Sequence, residues 1–382
     1  MLRTLTLLPR FSISPRITLA TMSTQAIPIC PSFVPVEQSE ITSISSSEGN
    51  RFSVVSYNIL AQAYVKSSNF PHSPKPCLRW KARSQAVLTV LKNLRANFLC
   101  LQELDEYDSF YRPSMEIHGY SSIYVQRNGQ KRDGCGIFYK PSCAELVLQE
   151  NIEYNDLVKS LENDDDSNDN DGKQTYDGCA QEIHEDANED RGDPNDPRVR
   201  LKRDCVGIMA AFRLSHPSRH LLIIANTHIY WDPEWADVKL AQVKYLLSRL
   251  DQFKILVSER FECTPSVILT GDFNSTPGSE VYNYIISGSS EAKHTDECPD
   301  ELPIPLSSVY ECTRGEPPFT NCTPGFTGTL DYIFFSPLGS MKPVSFLELP
   351  DSDSPTVAGG LPNYQHPSDH LPIGAEFLVT ET

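Results

Sequence analysis

The sequence predicts an α/β domain. Short apolar runs, typical of buried strands, recur from Phe52 onward and alternate with segments of helical periodicity. Polar side chains stand directly after several of these runs, as expected where strands end at a ligand site. With 382 residues, the chain is long enough to bury a substantial core in one large domain or two ordinary ones.

Seven segments are predicted strands, because each is a short run rich in β-branched, aromatic and other apolar residues. In chain order they are 52–58, 98–103, 135–140, 206–212, 221–228, 267–273 and 331–336.

Two helices are predicted from apolar residues spaced i, i+3, i+4 and i+7, which form one stripe along a helix. The stripes consist of Val87, Val90, Leu91 and Leu94, and of Val243, Leu246, Leu247 and Leu250. Each stripe is expected to pack against a sheet.

The acidic residues are concentrated in one stretch. Residues 155–197 include "ENDDDSNDNDG" and hold too few apolar side chains to offset the entropy of ordering, so a disordered surface insertion is predicted. From Glu162 to Asp193 there are 13 acidic and two basic side chains, a net charge of −11 out of −17. The rest of the chain is only mildly acidic, so the total charge does not exclude a nucleic-acid partner.

The N-terminal residues are interpreted separately from the fold. Residues 1–50 are predicted to be a flexible segment ahead of one domain at 51–382. Residues 1–36 are rich in Ser and Thr, contain arginines and lack acidic residues, which is the composition of an organelle transit peptide; a disordered tail is the alternative. No run approaches the roughly 20 apolar residues of a membrane helix, and 11 scattered cysteines indicate a reducing compartment.

Polar residues follow four of the predicted strands. They are Asn58, Glu103, His228, and Asp272 with Asn274. Read singly, each is explained as a turn former or a solvated loop residue. Their recurrence at strand ends predicts that they converge in one cleft.

Two further polar clusters complete this set. Asp331 opens the apolar run "DYIFF", where it is either a cap or the partner of a buried cation. Asp369 and His370 lie between Pro367 and Pro372, so the pair is held in a loop stiffened by proline, although an ordinary turn has the same pattern.

These groups suit phosphate-ester hydrolysis. Glu103 and Asp369 are hard oxygen ligands of the kind Mg²⁺ prefers, and Asp272 is placed to orient and deprotonate water. Asn274, two residues along an extended chain, would donate a hydrogen bond on the same side.

The two histidines fill the remaining role. His228 and His370 would donate hydrogen bonds to the phosphate oxygens. Asp331, if it contacts His370, would orient that ring and favour its protonated form.

Six segments in this order resemble the endonuclease/exonuclease/phosphatase superfamily. They are "YNIL", "CLQEL", "NTHIYWDPEWADVKLAQ", "TGDFNSTPGS", "FTGTLDYIFFS" and "PSDHLPI", and the resemblance covers about 51–380. Within that superfamily, "DGCGIFYK" and "FTNCTPGFTGTLDYIF" look like the carbon catabolite repressor type deadenylases, with nocturnin, Angel proteins and 2′-5′ phosphodiesterases as relatives.

The resemblance implies a four-layer α/β sandwich of two central mixed sheets flanked by helices. It implies Mg²⁺-dependent 3′-to-5′ shortening of poly(A) to 5′-AMP, with Mn²⁺ as a substitute ion. By motif it implies a catalytic set of Asn58, His228, Asp272, Asn274, Asp331 and His370, with Glu103 and Asp369 as metal ligands.

The resemblance also implies how adenine is recognised. An aromatic residue and a proline sandwich the base in deadenylases of this type, and here these correspond to Phe326 in "PGFTG" and Pro233 in "WDPE". Core packing is the alternative role for Phe326. Trp231 and Trp235 are interpreted as scaffold rather than contact residues.

The expected partner is single-stranded poly(A) RNA. The founding members carry leucine-rich repeats that dock other subunits, and no such repeats precede Phe52, so assembly into a deadenylation complex is less strongly implied. The family implies the cytoplasm and nucleus, with a mitochondrion or plastid as the alternative if residues 1–36 act as a leader.

Two other functions remain open. The same groups would serve a 2′-5′ phosphodiesterase or a nocturnin-like nucleotide phosphatase. A non-catalytic RNA-binding adaptor is disfavoured, because every expected catalytic side chain is present.

Overall fold

The computed structural model describes residues 27–36, 50–159, 193, 195–217, 220–287, 304–337 and 339–380. Most of the predicted insertion at 155–197, namely 160–192 and 194, and most of the N-terminal segment therefore lie outside the described residues. The two ends of the insertion, 155–159 and 195–197, are described. Within the described ranges, no helix combines the length and apolar character needed to cross a membrane. The nine cysteines in these ranges are all free thiols.

Seven strands form the first sheet, in the spatial order β1-β14-β15-β2-β3-β5-β4. The strands are β1 (Phe33–Pro35), β2 (Asn50–Asn58), β3 (Phe98–Gln102), β4 (Ser121–Gln126), β5 (Gly134–Tyr139), β14 (Met341–Leu347) and β15 (Ile373–Val379). Strands β2 and β3 are parallel, whereas their outer neighbours β15 and β5 are antiparallel to them, so the sheet is mixed.

Six strands form the second sheet, in the spatial order β10-β13-β9-β8-β7-β6. They are β6 (Ala144–Glu153), β7 (Val206–Leu214), β8 (Leu221–His228), β9 (Ser266–Asp272), β10 (Ser307–Ser308) and β13 (Asp331–Phe335). Strands β8 and β9 are parallel within this otherwise antiparallel sheet. A separate hairpin consists of β11 (Asn321–Thr323) and β12 (Phe326–Gly328).

Five helices that lie entirely within the described ranges are placed outside the sheets or in the loops. They are α1 (Trp80–Leu94), α2 (Arg112–Glu116), α3 (Pro197–Arg200), α4 (Ala236–Phe261) and α5 (Glu280–Ser287). Short 3-10 and π-helical turns occur at Gln62–Tyr64 and Tyr107–Tyr111.

The two sheets pack face to face over one apolar core. Phe98 of β3 contacts Phe212 of β7, with ring centroids 5.0 Å apart. The outer face of the first sheet packs against α1, and that of the second sheet packs against α4 and α5. Both predicted apolar stripes are buried at these faces. The four-layer α/β sandwich is therefore confirmed.

All seven predicted strands are present, with ends that differ by no more than two residues from the predicted ones. One departure concerns the N-terminal segment that was predicted to be flexible. Phe33–Pro35 forms a strand because its backbone pairs with the edge of β14, where Val34 stands opposite Phe346. Backbone pairing satisfies groups that would otherwise be exposed at the sheet edge.

Candidate active site

The first sheet contributes two side chains at the carboxyl ends of its parallel pair. Asn58 is the last residue of β2 and stands opposite Gln102, the last residue of β3. Glu103 follows directly, with a φ of 51° that turns the chain out of the strand. Asn58 and Glu103 therefore leave the sheet at the same edge.

The second sheet contributes three side chains in one row. His228 ends β8 and stands opposite Asp272, which ends β9, while Asp331 at the start of β13 is the antiparallel partner of Asp272. Cross-strand partners in a sheet lie about 5 Å apart, so the register alone brings the three residues together.

Asn58 joins the two sheets through its side-chain amide. Its Nδ2 donates to Glu103 Oε1 at 3.1 Å and to Asp272 Oδ2 at 2.9 Å, and its Oδ1 accepts from the backbone N–H of Leu60 at 3.0 Å. The backbone donor fixes the orientation of the amide, because only the oxygen can accept it. Two acidic groups from different sheets are thereby held against one buried donor.

Asp331 and His370 are in direct contact, which is the condition under which Asp331 was expected to orient the His370 ring. The His370 ring, through Nδ1, hydrogen-bonds Asp331 Oδ2 at 2.7 Å, and Thr320 Oγ1 donates to the same oxygen at 2.6 Å. His370 Nε2 lies 3.6 Å from Asp272 Oδ2. Burial alone would lower the pKa of His370, but the Asp331 and Asp272 carboxylates raise it well above its usual value. The ring is therefore a cationic donor at neutral pH.

His228 approaches the same carboxylate in the opposite charge state. Its Nε2 lies 3.5 Å from Asp272 Oδ2. Burial lowers the pKa of His228 to about 4 despite the nearby Asp272, so the ring is neutral at physiological pH. Asp272 Oδ2 thus faces the Asn58 amide and two histidine rings of different charge.

Asn274 is held in place from both sides. With a φ of 43°, it donates its backbone N–H to Asp272 Oδ1 at 3.0 Å and its Nδ2 to the carbonyl of Ile229 at 3.0 Å. The ammonium of Lys239 on α4 donates to the Asn274 carbonyl at 2.8 Å. Only one N–H of the Asn274 amide is engaged in that contact, so the second can serve a ligand.

Glu103 and Asp369 lie close enough for the charge of Asp369 to act on Glu103. The Ala61 backbone N–H donates to Glu103 Oε2 at 2.9 Å. Burial, reinforced by the charges of Asp369 and Asp133, raises the pKa of Glu103 to about 7. A divalent cation would relieve this repulsion, and carboxylate oxygens are the donors that Mg²⁺ prefers, so the residues fit such an ion.

The closest group of potential metal-binding atoms is a different one. Among the described residues, Asp272, Asp331 and His370 offer ligand atoms within 4.8 Å of one another. Asp331 Oδ2 already pairs with His370 Nδ1 at 2.7 Å and accepts from Thr320 Oγ1 at 2.6 Å, so hydrogen bonds among these side chains explain their proximity. Glu103 and Asp369 therefore remain the predicted metal ligands.

Phe326, in the β11–β12 hairpin, and Pro233, in a loop, are exposed rather than in the core. Phe326 begins β12 with 42% of its surface exposed, which argues against the core-packing role. Its ring lies over Gly328, where a Cβ atom would come within 2.8 Å of Phe326 Cζ. The hairpin that carries Phe326 is bonded to the site through its backbone. Asn321 forms an antiparallel β-bridge with His370, and the Cys322 N–H donates to the Asp369 carbonyl at 3.1 Å.

Trp231 and Trp235 differ in their surroundings. Trp235 is held between the guanidinium groups of Arg200 and Arg203, each 4.0 Å from its ring centroid, as expected of a scaffold residue. Trp231 is 63% exposed and so does not fit the scaffold role assigned to it. It precedes Pro233 in the loop that follows His228.

Three supporting residues were not foreseen from the sequence. Thr320 bonds Asp331, Lys239 bonds Asn274, and the buried Arg83 bonds the loop after Asn58. The sequence signal for Arg83 and Lys239 is a cation on the apolar face of an amphipathic helix, which requires buried acceptors. Thr320 has no such signal.

Known proteins with similar sequences and structures share this fold. The family model described as "Endonuclease/Exonuclease/phosphatase family" matches residues 55–370. The chain is 66% identical over 338 residues to carbon catabolite repressor protein 4 homolog 4 of Arabidopsis thaliana, covering 87% of this chain and 78% of that protein.

More distant relatives agree with this match. The Ccr4 3′-5′-exoribonuclease subunit of the CCR4-Not complex from Schizosaccharomyces pombe is 29% identical, with 88% of this chain and 50% of that protein covered. The chain thus spans about half the length of this fungal relative. The crystal structure of ANGEL2, a 2′,3′-cyclic phosphatase, in complex with adenosine-2′,3′-vanadate superposes with a TM-score of 0.68 at 26% identity, covering 92% of this chain and 99% of that one.

Proposed function

The chain belongs to the endonuclease/exonuclease/phosphatase family, and from this premise we propose that it is a metal-dependent 3′-to-5′ exoribonuclease that shortens poly(A) and releases 5′-AMP. The observation that carries the proposal is the environment of Asp272. One of its oxygens accepts from Asn58 and faces both His228 and His370, and Asn58 also holds Glu103. This arrangement offers a base, two donors and a metal ligand around one point.

Asp272 would act as the general base. Its carboxylate accepts a proton from water as the water oxygen attacks phosphorus, and the bond from phosphorus to the 3′ oxygen of the preceding nucleotide breaks. Asn274 orients the water or the phosphate with its free amide N–H. The leaving 3′ oxygen takes a proton from solvent, and the terminal nucleotide departs as 5′-AMP.

His370 and His228 would stabilise charge on the phosphate. The protonated His370 donates a charge-assisted hydrogen bond to a non-bridging oxygen, and the neutral His228 donates a weaker one. Asp331 keeps His370 protonated and oriented through its 2.7 Å contact. The cost of placing a cation in this buried position is offset by the two carboxylates that flank it.

Glu103 and Asp369 would hold Mg²⁺, with Mn²⁺ as a substitute. The ion supplies Lewis-acid neutralisation of the charge that develops on the phosphate. The two carboxylates fix its position, and the Asn58 amide and the Ala61 N–H fix Glu103. Outer hydrogen bonds of this kind orient metal ligands and tune their affinity.

Phe326 and Pro233 would select adenine by stacking. Both side chains are exposed, Phe326 on the hairpin that is bonded to Asp369 and His370 and Pro233 in the loop that follows His228, and a base stacked on an aromatic ring gains roughly 1 to 3 kcal/mol. Stacking positions a single-stranded 3′ end without a basic groove, which suits an acidic chain. We also propose assembly with a deadenylation complex, supported by the name of the Schizosaccharomyces pombe relative.

A second candidate function is hydrolysis of a terminal 2′,3′-cyclic phosphate. The observation in its favour is the structural likeness to ANGEL2 at 26% identity. The same base and donors would serve this reaction, since water again attacks phosphorus and a ribose oxygen leaves. A 2′-5′ phosphodiesterase or a nucleotide phosphatase would use the same residues on other substrates.

A side-by-side product assay tests these possibilities. Purified protein with Mg²⁺ is given a 3′-5′ oligoadenylate, a 2′-5′ oligoadenylate, an oligoadenylate ending in a 2′,3′-cyclic phosphate, and NADPH, and products are separated by chromatography. We expect stepwise shortening of the 3′-5′ oligoadenylate with release of 5′-AMP to be the fastest reaction.

The matched control is Asp272→Asn, which keeps the shape of the side chain and removes the base. It should leave every substrate intact. Faster turnover of the cyclic phosphate than of the 3′-5′ oligoadenylate would replace the leading function with the second candidate. Turnover by Asp272→Asn at the parental rate would show that the activity comes from elsewhere.

A further inference from the structure

Arg83 lies on α1 with only 1% of its surface exposed. Arginine is almost never fully buried unless its donors are satisfied. Here Nη1 donates to the carbonyls of Ile59 at 3.0 Å and Pro367 at 2.8 Å, Nε donates to Gln62 Oε1 at 3.2 Å, and Nη2 donates to the Leu60 carbonyl. All four acceptors are neutral oxygens, so Arg83 acts at these contacts as a hydrogen-bond donor to several groups rather than as a partner in an ion pair.

The acceptors belong to two loops that are far apart in the sequence. Ile59, Leu60 and Gln62 follow Asn58 at the end of β2. Pro367 lies about 300 residues later, two residues before Asp369. A second tie connects the same loops, because Ser368 Oγ donates to the Asn58 carbonyl at 2.7 Å.

Each loop is tied to one of the proposed metal ligands. The first loop holds Glu103, whose two oxygens accept from the Asn58 amide and the Ala61 N–H. The second loop contains Asp369 itself. The guanidinium of Arg83 therefore joins the loop that holds Glu103 to the loop that contains Asp369.

We propose that Arg83 is a positioning residue that fixes the separation of Glu103 and Asp369 and thereby sets the affinity of the site for a divalent cation. This inference rests on the proposed metal-dependent function. Arginine suits the role because its planar group donates in several directions at fixed angles. A lysine ammonium keeps the charge but is a flexible point donor, so it cannot hold both loops in the same geometry.

Metal binding without substrate is the direct test. The dissociation constant of Mn²⁺ is measured by calorimetry for the full chain and for Arg83→Lys. Removing a residue that orients a metal ligand typically weakens metal binding about 10- to 100-fold, and we expect a loss in this range. Circular dichroism confirms that the variant is folded, and hydrogen exchange of 58–62 and 366–370 should be faster in the variant.

Activity provides a second reading. The Mg²⁺ concentration for half-maximal hydrolysis should rise by a similar factor in Arg83→Lys, and saturating Mg²⁺ should restore much of kcat. A merely structural role would lower the melting temperature without moving the metal dependence.

The matched control is Arg79→Lys, an exposed arginine one helical turn earlier. It should bind Mn²⁺ like the parent. If Arg83→Lys does not fold, Ser368→Ala cuts the second tie and should weaken Mn²⁺ binding in the same direction by a smaller factor.

The outcomes separate this inference from the proposed function. A parent chain that binds no Mn²⁺ would overturn both. A parent that binds Mn²⁺, with folded Arg83→Lys binding equally well, would overturn only the role of Arg83. Unchanged binding in Ser368→Ala, where Arg83→Lys is unfolded, would also overturn it.

Discussion

Glu103 carries a buried charge that its hydrogen bonds do not fully compensate. Two N–H donors contact it, yet burial and the charge of Asp369 still raise its pKa to about 7. A buried carboxylate of this kind is costly unless a cation is present. The residue therefore links the stability of the metal-free protein to the capacity to bind a metal.

Replacing Glu103 with Gln should abolish metal-dependent hydrolysis. The amide keeps one acceptor oxygen but loses the negative charge, and it places an NH₂ group opposite a backbone donor. We expect activity to fall by more than about 100-fold, a larger loss than for a residue that only orients a ligand. Glu106→Gln, three residues on at an exposed position, is the control and should match the parent. Residual activity above about a hundredth would count against Glu103 as a metal ligand.

The same variant should be more stable than the parent without metal, in a pH-dependent way. Burial, then Asp369, raises the pKa of Glu103 in the folded chain from 4.5 to about 7. Ionisation therefore disfavours the folded state, and this cost grows from pH 4.5 upward and is complete above about pH 7. In chelator, the gain in melting temperature of Glu103→Gln should be larger at about pH 8 than at about pH 5. Equal gains at both pH values would contradict this.

Phe326→Ala should reduce the preference for adenine. The exposed ring offers a stacking face worth roughly 1 to 3 kcal/mol, so the ratio of rates on A and C homopolymers should fall by at least about five-fold. The measurement is initial rate on each homopolymer at equal concentration. Phe326→Tyr keeps the aromatic face and should retain the preference. An unchanged ratio in Phe326→Ala would show that another side chain selects the base.

Much of the candidate site could be predicted at the residue level, but its supports could not. Asp272 and Glu103 follow predicted strands and His370 lies in a loop between two prolines; each alone is compatible with an ordinary turn, but their recurrence along the chain predicted a shared cleft. Arg83 and Thr320 act on partners that only the folded chain brings near, namely carbonyls of two distant loops and the carboxylate of Asp331. The helical pattern marks Arg83 as a buried cation, but the identity of its acceptors, like that of the Thr320 partner, depends on tertiary contacts that no local pattern encodes.

Strands β8, β9 and β13 are the elements on which the row of His228, Asp272 and Asp331 depends. Their register is tight next to Asp272, because Gly271 pairs with Thr227 and has a φ of 153°. A Cβ atom on Gly271 would lie 2.2 Å from the Thr227 carbonyl oxygen. No side chain fits there without moving one strand away from the other.

Gly271→Ala should therefore lower stability and activity together. Forcing a methyl group into a packed position costs about 1 to 3 kcal/mol, and the shift separates His228 from Asp272. Urea unfolding measures the loss of stability, and hydrolysis of oligoadenylate measures the effect on the site. Gly325→Ala is the control, since nothing lies within 4 Å of the added methyl group. A Gly271→Ala variant with parental stability would show that the strands can part at no cost.

The element pattern explains which strands were missed. β14 contains Pro343 and has an irregularity between Pro343 and Ser345, and proline inside an apolar run argues against a strand. The sequence of β6 mixes Glu, Gln and Asn with apolar residues at an edge of its sheet, so no continuous apolar run marks it. The central strands, buried on both faces, were found because their runs are continuous.

At the scale of the whole molecule, most of the net negative charge lies in one segment of the chain, apart from the strands that carry the site. Residues 160–192, which lie outside the described residues, hold 12 acidic and two basic side chains. The described residues before and after this segment are hydrogen-bonded to each other. Asn155 Nδ2 donates to Asp204 Oδ1 at 2.8 Å, and the Asp204 N–H donates to Asn155 Oδ1 at 3.0 Å. The fold is thus closed independently of the acidic residues between.

Replacing 160–192 with a short Gly-Ser linker should leave the fold stable and strengthen RNA binding. Shortening a loop changes its closure entropy by only about 1 kcal/mol, whereas removing a net charge of −10 reduces repulsion of phosphate. KM for oligoadenylate should fall at low salt and approach the parental value at about 0.15 M salt, where the screening length is about 8 Å.

A neutral Gly-Ser segment of the original length separates charge from length and should lower KM to the same extent as the short linker. Parental KM in both variants at low salt would show that the acidic residues do not reach the RNA.

The strands of both sheets come from both halves of the chain. The first sheet takes β14 and β15 from the second half, and the second sheet takes β6 from the first. If the polypeptide were cleaved between Lys159 and Asn195, each piece would hold an incomplete pair of sheets. The N-terminal piece would carry Asn58 and Glu103, and the C-terminal piece would carry the row of His228, Asp272 and Asp331. Hydrolysis would then report reunion of the two fragments, which makes this architecture suited to a split-enzyme sensor of molecular proximity.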